Sequence, residues 1–110
     1  MWFIRRKGFR KGRKPNIVKI HDIPKFEVFG PENAKGEIEL TYSEYEAIRL
    51  VDYLGFGCGE AAKMMHVSKP TFWRILDSAR SKLAKALVEC KKIRIEKEEI
   101  IEDNEEFWFL

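Results

Sequence analysis

The sequence predicts a mainly α domain with a small β-hairpin, organised round a helix-turn-helix with a long recognition helix. Three observations carry that expectation. Residues 60–76, EAAKMMHVSKPTFWRIL, have the pattern of two short helices joined by a tight turn. The helical period then continues through Leu76, Ala79, Leu83, Ala86, Leu87 and Cys90 on one stripe. Upstream, Phe26-Glu27-Val28-Phe29 and Glu37-Ile38-Glu39-Leu40 alternate as strands do. They flank the turn-rich segment from Gly30 to Gly36 in the manner of a hairpin with a longish loop.

The chain has 110 residues, enough for one small domain with extensions and a modest core that oligomerisation would help to stabilise. Its net charge of +3 hides an asymmetry. Residues 1–35 hold ten basic and three acidic side chains, whereas residues 96–106 hold seven acidic side chains and Lys97. The expected division is a flexible basic arm at 1–16, a helix-turn-helix domain with its N-terminal β-hairpin at 17–95, and an acidic, aromatic tail at 96–110. A basic first half suits an anionic partner. Cys58 and Cys90 stand apart without C-x-x-C spacing. Together with His21 and His66 they give no metal-ligand signature, so no cofactor or metal is expected. No apolar run is long enough for a signal peptide or membrane span, and a cytoplasmic, reducing location is the expectation.

Taken in order, residues 5–15 (RRKGFRKGRKP) are too charged and Gly-rich to fold alone. Lys11-Gly12-Arg13-Lys14-Pro15 resembles the core of an AT-hook, in which Gly lets the backbone lie deep in a narrow minor groove and the cations follow its floor. The plainer reading is general phosphate contact from Arg10, Lys11, Arg13 and Lys14. Residues 17–20 read as a short strand, after which Pro24 breaks the chain. Two hairpin strands alone are marginal and must pack on helices or recruit a further strand. Thr41 with Glu44 three residues later is a capping box. It opens a helix over residues 43–54 with an apolar stripe of Ala47, Ile48, Val51 and Leu54, stopped by Gly55.

In the motif itself, Ala61 and Ala62 let a partner helix come close, and Met65, Val67, Phe72 and Ile75 fall on the inward faces. Ser68 is the expected N-cap of the second helix, and Pro70 falls in its first turn, where a missing N–H costs little. His66 holds the turn position that often needs positive φ, which His tolerates better than most non-Gly residues. Beyond the long helix, residues 93–95 read as a strand. Phe107-Trp108-Phe109-Leu110 is an apolar cluster expected to dock on the hairpin or on a dimer mate.

These residues resemble a known family. Leu40-Thr41-x-x-Glu44-Tyr45-Glu46-Ala47-x-Arg49-Leu50, Glu60-Ala61-Ala62, and Val67-Ser68-x-Pro70-Thr71-Phe72-x-Arg74-Ile75-Leu76-x-x-Ala79-Arg80 with Lys82 carry the likeness. So do the arm ending Arg13-Lys14-Pro15 and the run Ala86-Leu87-Val88-Glu89, so that it spans about residues 10–95. The family is one of small, functionally uncharacterised prokaryotic proteins predicted to bind DNA. The resemblance implies a helix-turn-helix similar to that of sigma factor region four, in a region-four-like or winged-helix-like domain. The departures are His66 for the usual Gly, Trp73 for a smaller residue, and the flexible entry Gly57-Cys58-Gly59.

The expected function is sequence-specific DNA binding by a transcriptional regulator, with residues 69–80 reading the major groove. Ser68, Lys69, Pro70, Thr71, Trp73, Arg74 and Asp77 fall on the outward face. Lys69 and Arg74 match the acceptors of guanine. Ser68 and Thr71 suit phosphate at the helix N-terminus. Trp73 is open between a thymine methyl or sugar and packing against the arm. Asp77 would repel phosphate unless it pairs with Arg74 or Arg80, and a positioning role is expected for it. No nucleophile with a base, no phosphate-cradling Gly loop and no isolated carboxylate pair points to an enzyme. Two alternatives are an interaction module of the transcription machinery, reaching RNA polymerase or another protein through the tail, and an RNA-binding protein using arm and aromatics. The far half of the long helix must bury its stripe on something, and the helix over residues 43–54, the hairpin or a second subunit in a homodimer could each serve.

Overall fold

A computed structural model describes residues 2–5, 17–98 and 100–101 of the chain. The elements follow as β1 (Trp2–Arg5), β2 (Ile17–Ile20), β3 (Val28–Phe29), β4 (Glu37–Thr41), α1 (Tyr42–Ile48), a π-helical turn (Arg49–Tyr53), α2 (Cys58–Met64), α3 (Lys69–Val88), β5 (Lys92–Glu96) and β6 (Ile100–Ile101). Among the described residues the fold is mixed α/β, with three α-helices and two three-stranded sheets ordered β2-β1-β6 and β3-β5-β4. This corrects the expectation of a mainly α domain with a single hairpin. Among the described residues no helix is long and apolar enough to cross a membrane.

The expected hairpin is absent because β5 lies between its two strands. It runs antiparallel to β3, with Phe29 opposite Ile93, and parallel to β4, with Ile38 opposite Ile93 and Leu40 opposite Ile95. The segment between β3 and β4 therefore spans a strand instead of reversing tightly. Its backbone closes on the end of α3 through Lys35 N–H to Cys90 C=O at 2.8 Å, and Lys92 N–H donates to Gly36 C=O at 2.9 Å. Gly30 has φ of 148°, and a Cβ there would lie 2.9 Å from the Lys92 Cα. Only a residue without a side chain lets β5 pass so close.

Residues 2–5, assigned from sequence to the basic arm, form β1. Phe3 and Ile4 are buried, and β1 pairs antiparallel with β2 and β6. Arg5 and Ile17 are partners in that ladder, so the segment 6–16 joins two paired strands.

α1 begins as its capping box dictates. Thr41 Oγ1 accepts from Glu44 N–H at 3.1 Å, and Glu44 Oε1 accepts from Thr41 N–H at 2.9 Å. The same carboxylate accepts from the Ser78 hydroxyl and, at 2.7 Å, from Lys82 Nζ, tying α1 to the middle of α3. The helix loosens into the π-turn at Arg49, where Leu54 N–H donates back to Arg49 C=O, and it stops at Gly55 with φ of 83°. Between α1, α2 and α3 lie Ala47, Leu50, Ala61, Ala62, Met65, Phe72, Ile75, Leu76 and Ala79. Ile4, Val18 and Ile20 close the core from one sheet, Leu40 and Ile95 from the other. Full burial of a side chain the size of Phe72 contributes about 2 kcal/mol or more. The apolar stripe of α3 is buried only as far as Ala86: Leu87 is 84% exposed, and Cys90 lies beyond the helix at φ 54°.

Candidate nucleic-acid interface

α2 is seven residues long and ends on Met65, whose N–H donates to Ala61 C=O at 3.0 Å. The chain turns at His66, with φ of 57°, and Val67 N–H reaches back to Ala62 C=O at 3.0 Å. Ser68 then caps α3, its Oγ accepting from Thr71 N–H at 3.3 Å, and Pro70 occupies the first turn. Ala61 and Ala62 are buried with Met65, Phe72 and Ile75. Small side chains on α2 thus allow the close crossing that fixes the direction of α3. The expected cap, turn residue and inward face are all in place.

The N-terminal end of α3 is open to solvent. Ser68, Lys69, Pro70, Trp73 and Arg74 are exposed and Thr71 is half-buried, so the structure brings these six candidate residues to one end of one helix. Ser68 Oγ also donates to Thr71 Oγ1 at 2.8 Å, which leaves the Thr71 proton as the outward donor of that pair. Trp73 remains 47% exposed. Arg74 stands at the edge of this face and lines a cleft of about 210 Å³ with Glu44, Glu96 and Glu98. Exposed Lys63, in the last turn of α2, was missed in the sequence-based selection. Its place just before the turn was the signal available.

Among the described residues Asp77 makes no ion pair with Arg74 or Arg80, although its charge is felt at Arg80. Arg80 instead forms a two-point pair with Asp52 of the π-turn, Nη2 to Oδ1 at 2.7 Å and Nε to Oδ2 at 3.1 Å. The guanidinium hydrogen bonds hold the Asp52 carboxyl below its ordinary range, and the carboxylate raises Arg80 in turn. Arg80 thus braces α3 against the end of α1.

The first sheet is fastened to the α2–α3 turn. Lys19 N–H donates to Met65 C=O at 3.0 Å, and His21 Nε2 lies 3.0 Å from Met64 C=O. Phe3 meets the His66 ring edge-on with centroids 6.0 Å apart, and Lys19 Nζ sits 5.7 Å from the Phe3 centroid. Burial, then the charges of Lys19 and His21, push the His66 imidazole below its ordinary value. Arg10, Lys11, Arg13 and Lys14 lie outside the described residues, as does the Phe107-to-Leu110 cluster. Among the described residues no group of three or more His, Cys, Asp or Glu is arranged to hold a metal, and Cys58 and Cys90 are free thiols.

Comparison with known proteins gives a consistent result. The family described as "Protein of unknown function DUF134" matches residues 8–103. A "UPF0251 protein" of Pyrococcus furiosus is 47% identical over 106 residues, covering 90% of this chain and 96% of that protein. Another from Methanococcus vannielii is 45% identical over 91 residues, 79% of this chain and 70% of the relative. One from Archaeoglobus fulgidus is 40% identical over 94 residues, 84% and 90% of the two chains. No solved structure matches.

Proposed function

The chain belongs to the DUF134 family, and from that footing we propose that it is a sequence-specific DNA-binding protein, acting as a transcriptional regulator through a sigma-region-four-like helix-turn-helix. The observation that carries this reading is the pair α2–α3 joined through His66 at φ 57°, with Ser68, Lys69 and Pro70 at the start of α3 exposed to solvent. A helix presented by its N-terminal end enters a major groove while the preceding helix crosses the backbone. Lys69 and Arg74 offer donors to base edges, and the Thr71 hydroxyl, at the positive end of the α3 dipole, offers a donor to phosphate. Lys63 extends the cationic face onto α2. Asp77 is the one acid among these outward groups, and it sets a limit to how far the phosphate-contacting surface runs along α3.

The β1–β2 ladder adds a second contact. The segment holding Arg10, Lys11, Arg13 and Lys14 departs from and returns to strands fastened beside the α2–α3 turn, which favours its use on the same duplex. The test is a titration against a labelled random-core duplex and single-stranded RNA of equal length, at two salt concentrations. Salt-sensitive duplex binding that exceeds RNA binding is expected. On a selected site, Arg74→Ala is expected to cost about 1–3 kcal/mol and to relax base preference. Equal loss on selected and random duplex would remove Arg74 from base reading. Duplex binding no better than RNA would overturn the proposal.

A further inference from the structure

The far end of α3 carries a feature that DNA contact leaves unused. Leu87 and Val88 are 84% and 82% exposed, and with exposed Ala84 they form an apolar ridge at helical spacing i, i+3, i+4. Beside the ridge lies an apolar hollow of about 390 Å³ between Phe29, Leu83, Ala86, Leu87 and Ile93. A second hollow of about 200 Å³ adjoins it, sharing Phe29, Leu83 and Ile93. Phe29 stands between them, 63% exposed.

We propose that this surface is a two-fold interface with a second copy of the same chain, each copy seating its Ala84–Leu87–Val88 ridge over the hollow of the other. Three arguments favour a second copy over another occupant. A two-fold contact uses one patch against itself, so the patch must hold both the projection and the recess, as this one does. The rim is of mixed sign, with Lys85 near the end of α3 and, just past the helix, Glu89 and Lys91, which pair at 3.6 Å within the chain, so opposed copies can exchange that pair for one across the two-fold axis. The ridge and Phe29 expose on the order of 400 Å² of largely apolar surface, the size of the largest patch that a soluble monomer ordinarily leaves bare and one that is often functional. That is about half of the roughly 800 Å² that each partner buries in a specific interface, and specific interfaces are about that apolar. Small Ala84 allows the two helices to approach closely at the centre.

Sedimentation of the full chain without DNA, from nanomolar to submillimolar concentration, tests this independently of the DNA-binding reading. A monomer–dimer equilibrium is expected. Leu87→Glu and Val88→Glu, both at exposed positions, should each weaken it about ten-fold or more while the far-ultraviolet helix signal is kept. A dimer indifferent to both substitutions would place the interface elsewhere and overturn the proposal. So would a chain that is monomeric throughout. If that monomer becomes a dimer once the chain is ended at Ile101, the native occupant is the segment 102–110.

Discussion

His66 occupies the corner between α2 and α3 at φ 57°, where an L side chain meets its own backbone and only Gly, Asn, Asp or His is at ease. Its ring is held edge-on to Phe3, so the side chain offsets part of the backbone cost with a contact that Gly lacks. A β-branched residue has neither the tolerance nor the ring. His66→Val is therefore expected to lower folding stability by about 2 kcal/mol in urea denaturation, whereas His66→Gly should stay within about 1 kcal/mol of the parent. Equal losses for both would show that the ring contact, and not the backbone conformation, governs the corner. Ser68 and Trp73 illustrate the other limit of residue-level reading. The cap at Ser68 is a local matter of one hydroxyl and one N–H, and it is found where its type and place require. Trp73, whose two readings from sequence differ in burial, is 47% exposed.

At the level of elements, what is local in the chain was legible. Thr41-x-x-Glu44, Ser68 with Pro70, and Gly55 mark helix ends through contacts within a turn, and each end is observed there. Strand pairing was not legible, because the alternating stretches at β3 and β4 carry no mark of which strand lies beside them. Their partner β5 arrives only after three helices, and the close pass at Gly30 is its trace in the sequence. β1 was hidden for the same reason, being next to the charged segment in sequence and next to β6 in space. In the candidate site, the exposed face of α3 followed from helical period, but the partner of Arg80 is 28 residues away and gave no local signal. Glu44 shows what such long-range ties contribute. Burial alone would raise its carboxyl, but hydrogen bonds from Lys82, Ser78 and the Thr41 backbone outweigh burial and hold it below the ordinary 4.5. A carboxyl lowered on folding adds stability above its unfolded value and loses it as pH falls through the folded one. Glu44→Gln is thus expected to cost about 2 kcal/mol at neutral pH, with the difference from the parent shrinking steadily below about pH 4. A pH-independent difference would assign the loss to packing instead of charge.

On the scale of the whole molecule, the two sheets give the helical pair a fixed frame with opposite duties. One sheet is hydrogen-bonded to the α2–α3 turn and carries the basic segment, while the other supports the far end of α3 and its apolar ridge. On the proposed DNA-binding reading, the basic segment supplies affinity and α3 supplies base reading. Arg10, Lys11, Arg13 and Lys14 are expected to neutralise phosphates without regard to sequence, and each phosphate neutralised releases bound counterions. Replacing all four with Ala should weaken binding to selected and random duplexes alike. It should also flatten the slope of log K against log salt by roughly 3 to 4, since each contact contributes about 0.9. Arg74→Ala should leave most of that slope in place and act on the ratio between the two duplexes. If the fourfold replacement changed the ratio and left the slope unaltered, the basic segment would be reading bases in the minor groove, and the division of labour between it and α3 would be reversed.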